Sequence, residues 1–103
     1  MIRVSVLYSN TEGKKFDMAY YCTKHIPMVK QKLGAACKGI SVDQGLGDAQ
    51  PGSRPSFAAM AHLSFDSVEA FQSAFGPHAE AIMGDIPNYT DIEPIIQLSD
   101  VKM

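Results

Sequence analysis

A histidine and a proline stand two residues apart in the run Phe16-Asp17-Met18-Ala19-Tyr20-Tyr21-Cys22-Thr23-Lys24-His25-Ile26-Pro27. An imidazole is the side chain whose ordinary pKa lies nearest neutrality, so His25 is the residue best suited to take and give back a proton. At about 100° per residue on a helix, Met18, Tyr21 and Val29 fall within ~40° of His25, and Cys22 and Met28 within ~60°. Thr23 and Lys30 fall on the opposite side. His25 is therefore expected in the middle of a buried stripe. Pro27 lacks an N–H and restricts Ile26, so a helix running through this stretch is expected to kink or open beside the imidazole. Two readings follow. His25 is a core residue bonded to a carbonyl or a tyrosine, or it is an acid/base group facing a pocket between helix and sheet. Tyr20 and Tyr21 offer hydroxyls to such a pocket, although tyrosines at this spacing also serve as core or rim residues.

Other polar candidates are less distinctive. His62 lies within an apolar run, with Met60 and Ser64 on its own face, and His78 follows Gly76-Pro77. Three histidines at 25, 62 and 78 match no metal-ligand spacing, so no metal is expected. Asp85 and Asn88 flank Ile86-Pro87, where turn chemistry accounts for both residue types. The chain has no P-loop, no dinucleotide fingerprint and no Gly-x-Ser-x-Gly elbow, and no cofactor is expected.

The elements that must position these groups are legible from periodicity. Residues 2–8 alternate as a strand, with Ile2, Val4, Val6 and Tyr8 on one face. Asp17 is expected to cap a helix that runs to Leu33 and ends at Gly34. Residues 38–44 form a second strand, with Ile40 and Val42 on one face. The Gly- and Pro-rich stretch 45–55 is a hairpin tip or a binding lid. Residues 57–65 form a third strand that is apolar on both faces. Asp66 and Glu69 suggest a capping box for a helix burying Val68, Phe71, Ala74 and Phe75. Gly76-Pro77 breaks that helix, and a further piece anchored by Ile82 and Met83 runs to Gly84. Residues 92–100 form a last strand, which Pro94 confines to an edge or a bulge. The order β-α-β-β-α-β is that of an α+β, ferredoxin-like domain spanning residues 1–103. Apolar residues on both sides of the third and fourth strands predict an exposed apolar sheet face, best covered by a second copy in a homodimer.

Composition narrows the function classes. With 46% hydrophobic and 19% charged residues and a net charge of −2, the chain is globular and has no basic block for nucleic acid. No apolar run nears the ~18 residues of a membrane span. The opening run reads as a strand rather than a signal peptide. Cys22 and Cys37 are therefore expected as free thiols in a reducing cytoplasm, with Cys22 as a small core residue.

Several segments together resemble the EthD family: Val4-Ser5-Val6-Leu7-Tyr8, Phe16-Asp17, Tyr20-Tyr21, His25-Ile26-Pro27-Met28-Val29, Gly39, Ala61-His62-Leu63-Ser64-Phe65-Asp66-Ser67, Phe71, Phe75-Gly76-Pro77-His78 and Asp85-Ile86-Pro87-Asn88-Tyr89. Cys22 and Cys37 stand outside that pattern. The resemblance implies a dimeric α/β barrel made of two ferredoxin-like subunits. It also implies a link to degradation of ethyl tert-butyl ether beside an oxygenase. Related barrels carry out cofactor-free oxygenation, isomerisation, decarboxylation and dehydration. His25 stands at the position that the resemblance associates with a site. The combined expectation is a small cytoplasmic homodimer that binds an apolar or aromatic small molecule. His25 would do acid/base chemistry, and Tyr21, Tyr20, His62 and Asn88 would orient the ligand. The alternative is a binding or accessory protein for a partner oxygenase.

Overall fold

Alternation of apolar and polar residues over Ile2–Ser9 produces the central strand β1, whose inward residues Ile2, Val4 and Tyr8 are buried. The chain is seen here in a computed structural model describing residues 1–103. After β1 come α1 (Met18–Tyr20), a π-helical turn (Tyr21–His25) and α2 (Ile26–Leu33), which together make one continuous helical stretch. Strands β2 (Gly39–Gln44) and β3 (Phe57–Phe65) follow. The second helical layer is α3 (Val68–Phe75), a 3-10 turn (Gly76–His78) and α4 (Ala79–Gly84), and β4 (Ile95–Asp100) closes the chain. The sheet order is β2-β3-β1-β4, antiparallel throughout. This is the ferredoxin-like α+β arrangement, with helices on one face. No helix is long and apolar enough to cross a membrane.

The first helical stretch begins at Asp17, whose carboxylate accepts the Tyr20 N–H at 3.0 Å. It ends at Gly34, whose φ of 63° suits glycine. Pro27 neither breaks it nor expels Ile26 from the helical region, since Ile26 keeps φ −62° and ψ −43°. Instead the turn before the proline widens. The Ile26 N–H donates to the Tyr21 carbonyl, five residues back. The extra residue relieves the clash that a proline ring makes with the carbonyl four positions earlier. The wider turn advances each residue by less than 100°. Tyr21, four residues before His25, thus comes directly beneath it, whereas Cys22, three before, swings out. Cys22 is accordingly exposed, not a core residue as the even helical spacing predicts.

Three other expectations change. Ser67, not Asp66, caps α3, its hydroxyl accepting the Ala70 N–H at 3.0 Å. Val68 is thereby turned to solvent, while Phe71, Ala74 and Phe75 pack on the core. Met83 is exposed at 40%, and Ile82 carries the burial in α4. The outer sheet face is not broadly apolar. The register aligns Arg3, Ser5, Ser41, His62, Ser64, Gln97 and Ser99 on it, and confines its apolar part to the row Leu7, Met60 and Ile95. Along β4, Ile96 and Leu98 are on the inner face yet 41% and 39% exposed, because the helices leave this edge partly uncovered, and Ile95 on the outer face is 54% exposed. Residues 45–56 connect the paired strands β2 and β3 and so form the tip of a hairpin. None of them lines the cavity described next.

Candidate functional site

Between the inner sheet face and the helices lies a cavity of about 270 Å³. Its walls are Val4, Val6 and Leu63 from the sheet, Ile26, Val29 and Leu33 from α2, Phe71 and Phe75 from α3, and Ile82 from α4. Met83, Pro94 and Ile96 also line it, and the exposure of Met83 and Ile96 marks its mouth beside β4. Polar groups enter the wall at one end only, where His25, Tyr8, Tyr21 and Tyr89 converge.

His25 is 4% exposed. Its ring stacks on Tyr21 (centroids 5.4 Å apart, planes at 15°) and on Tyr89 (4.6 Å, 29°). The Tyr21 stack is the direct product of the π-turn. Nδ1 lies 2.9 Å from an Asp85 carboxylate oxygen. A carboxylate can only accept there, so Nδ1 carries the hydrogen, and neutral His25 presents a bare Nε2 on the cavity side. The Tyr89 hydroxyl approaches Nε2 at 3.4 Å, and the Tyr8 hydroxyl lies 2.7 Å from that of Tyr89. With Nε2 as acceptor, the donors run in one direction: Tyr8 O–H to Tyr89, Tyr89 O–H to His25, and His25 Nδ1–H to Asp85.

The electrostatics follow from burial and these bonds. Burial lowers the His25 pKa below its ordinary value, and the bond to Asp85 opposes this only in part, so the ring is held neutral. Burial alone would raise the Asp85 carboxyl. Donors from Asn88, His25 and Tyr20 outweigh it and hold Asp85 below the usual carboxylate value. The Tyr20 hydroxyl and the Asn88 amide both donate to the other Asp85 oxygen, each at 2.8 Å. Burial pushes Tyr8, Tyr21 and Tyr89 well above the ordinary phenol value, so all three stay protonated.

Backbone pairing brings the Asp85–Tyr89 segment to the helix. Phe16 bridges Thr90, the Asp17 N–H donates to the Tyr89 carbonyl at 2.7 Å, and the Lys15 N–H donates to the Asp91 carboxylate at 2.9 Å. Asp85 itself sits at the end of α4, directly before the 3-10 turn Ile86–Asn88.

Of the residues named from sequence, His25 and Tyr21 meet at the cavity. Tyr20 and Asn88 do not line it, and hold the Asp85 carboxylate from outside instead. His62 lies on the opposite face of the sheet, because strand parity sends Ala61, Leu63 and Phe65 inward and His62 outward. There it bonds Ser5 at 2.9 Å and approaches Asp43 at 4.0 Å. Sequence reasoning passed over three members of the site. Turn chemistry accounts for Asp85, strand alternation for Tyr8 as one more inward residue, and neither gives Tyr89 a role. The available signal was a carboxylate and a tyrosine flanking a rigid Ile86-Pro87 turn. No three His, Cys, Asp or Glu side chains converge as a metal-binding set.

Comparison with known proteins gives a consistent picture. The EthD domain matches residues 12–93. An uncharacterised 11.0 kDa protein from the thcB-thcC intergenic region of Rhodococcus erythropolis is 32% identical over 94 residues, covering 86% of this chain and 84% of that protein. The crystal structure of an EthD-like protein from Ralstonia eutropha JMP134 superposes with a TM-score of 0.95 at 48% identity, over 99% of this chain and 92% of that one. An EthD family protein from Bacillus halodurans C-125 superposes with a TM-score of 0.68 at 17% identity, over 99% of each chain, which is a likeness of fold.

Proposed function

This chain belongs to the EthD family, and from that premise we propose that it is a cytoplasmic homodimeric enzyme acting without a cofactor on an apolar or aromatic small molecule. The ligand occupies the cavity between sheet and helices, and His25 Nε2 serves as the general acid/base. The observation that carries this reading is the pairing of a neutral, oriented imidazole with a hydrocarbon cavity. Asp85 positions the ring and compensates the charge when Nε2 takes a proton, so the imidazolium is supported where it forms. The reaction class is proton transfer, as in isomerisation, decarboxylation or cofactor-free oxygenation.

Dry apolar cavities of about 150 Å³ take up benzene or xenon. This larger cavity is expected to do the same. Xenon pressurisation of crystals, or benzene titration followed by methyl NMR, reads it through Val4, Val29, Leu63 and Ile82. Absence of any response at these residues would sink the ligand-binding reading. Uptake in both wild-type and His25→Ala protein, with turnover by neither, would favour the accessory role beside a partner oxygenase over catalysis.

The homodimer is supported by β4, an unpaired edge carrying three exposed aliphatic side chains, which a soluble protein covers or pairs. Sedimentation equilibrium is expected to return twice the chain mass of 11.2 kDa, and Ile95→Lys is expected to shift the protein toward monomer. A wild-type monomer at micromolar concentration would contradict it.

A further inference from the structure

Hydrogen-bond accounting at the polar end of the cavity narrows what it can hold. No Lys, Arg, Asp or Glu lines the wall, so a charged ligand would lose its water with no counter-charge to meet it. The Tyr8–Tyr89 contact is an ordinary short O–H···O bond at 2.7 Å. The Tyr89–His25 contact at 3.4 Å is long for a hydroxyl donor. Tyr8 therefore fixes the Tyr89 oxygen, and the weakly engaged atom is the Tyr89 hydrogen, next to the bare Nε2. An acceptor and a donor with spare capacity stand side by side at the end of an otherwise apolar chamber.

A single hydroxyl group matches that pair, because it donates through its hydrogen and accepts through its oxygen. Phe71, Phe75, Tyr21 and Tyr89 supply aromatic wall for the body of the ligand. Resting on the reading of this cavity as the ligand site, we propose that it takes an uncharged ring compound bearing a phenolic or enolic hydroxyl. The ligand O–H donates to His25 Nε2, and its oxygen accepts from the Tyr89 O–H. Tyr89 is thus a ligand-binding residue as well as a neighbour of His25. An acidic hydroxyl is preferred over an alkyl alcohol because it makes the stronger bond to imidazole. Burial keeps Tyr89 protonated, and so able to donate, throughout the neutral range.

Phenol and toluene test this, since they match in shape and differ in hydroxyl against methyl. In ¹⁵N NMR of the wild-type protein, phenol is expected to move His25 Nε2 and leave Nδ1 in place, and toluene to move neither. Tyr89→Phe is expected to weaken phenol about fivefold to tenfold and leave toluene unchanged. Tyr8→Phe, which removes the neighbour but keeps the donor, is expected to retain phenol within about twofold. Phenol binding that leaves Nε2 unmoved, or equal loss of both probes in Tyr89→Phe, overturns the proposal while the cavity reading stands. Exclusion of both probes from the wild-type protein overturns the cavity reading itself. The wild-type spectra decide the matter even where a variant fails to fold.

Discussion

His25→Ala protein is expected to fold, to keep its cavity, and to lose about 10²–10⁴-fold in turnover of a phenolic or enolisable substrate. The fold should survive because the loss strands few partners. Asp85 still accepts from Tyr20 and Asn88, and Tyr89 is still held by Tyr8. The stability cost is expected to be about 1–3 kcal/mol, from one lost buried hydrogen bond and the space the ring filled. Benzene uptake should persist, which separates lost chemistry from a lost site. The pH profile adds an independent check. Only neutral His25 can accept a proton, and burial lowers its pKa, so the acid limb of the rate should fall below the ordinary value of 6.5. The same shift has a sign for stability. The unfolded chain binds a proton at His25 more readily than the folded one, so stability declines as pH drops below 6.5. Asp85 acts lower down: its contribution is present above 3.8 and is lost as pH falls through its depressed value. Unchanged turnover in a folded His25→Ala variant would leave His25 as a wall residue and overturn its acid/base role.

Phe65→Ala is expected to destabilise the protein by about 3–5 kcal/mol, which is a large share of the 5–15 kcal/mol typical of a domain. Phe65 ends β3, is fully buried, and meets the edge of Phe71 with centroids 5.2 Å apart. It is one contact through which α3 packs on the sheet, and Phe71 lines the cavity. The deletion leaves a void under the helix that the sheet backbone cannot fill. Urea unfolding measures the loss, and a shift under about 1 kcal/mol would show that α3 collapses onto the sheet at little cost. Leu is the informative second substitution at this position, since it restores most of the volume without the aromatic contact.

Much of the fold was legible because it rests on local pattern. The alternation of β1, the stripe of α2 and the turn residues between them specify a βαββαβ order without reference to the final packing. Strand parity within β3 was also legible: Ala61, Leu63 and Phe65 share one face, which already assigns His62 to the other. The apolar outer face predicted from the third and fourth strands failed for a related reason. Apolar residues on both sides of a strand do not say which neighbours share its face, and the register supplied serines and Arg3 there. An even helical spacing misplaces Cys22 in the core because Pro27 widens the turn that the spacing crosses.

The sequence by itself determined that His25 lies on a buried stripe beside a disturbance in its helix, since burial there depends only on helical period and on the chemistry of proline. It also carried the family resemblance. Tertiary structure alone decided what His25 meets. Its carboxylate partner lies 60 residues away and its tyrosine partner 64 away, and both arrive through backbone pairing between residues 15–17 and 89–91. Hydrogen bonds of that kind depend on distance and direction between separate elements. Local periodicity encodes neither, so an imidazole readable as a core residue became an oriented, hydrogen-bonded ring at the wall of a cavity only once the chain was packed.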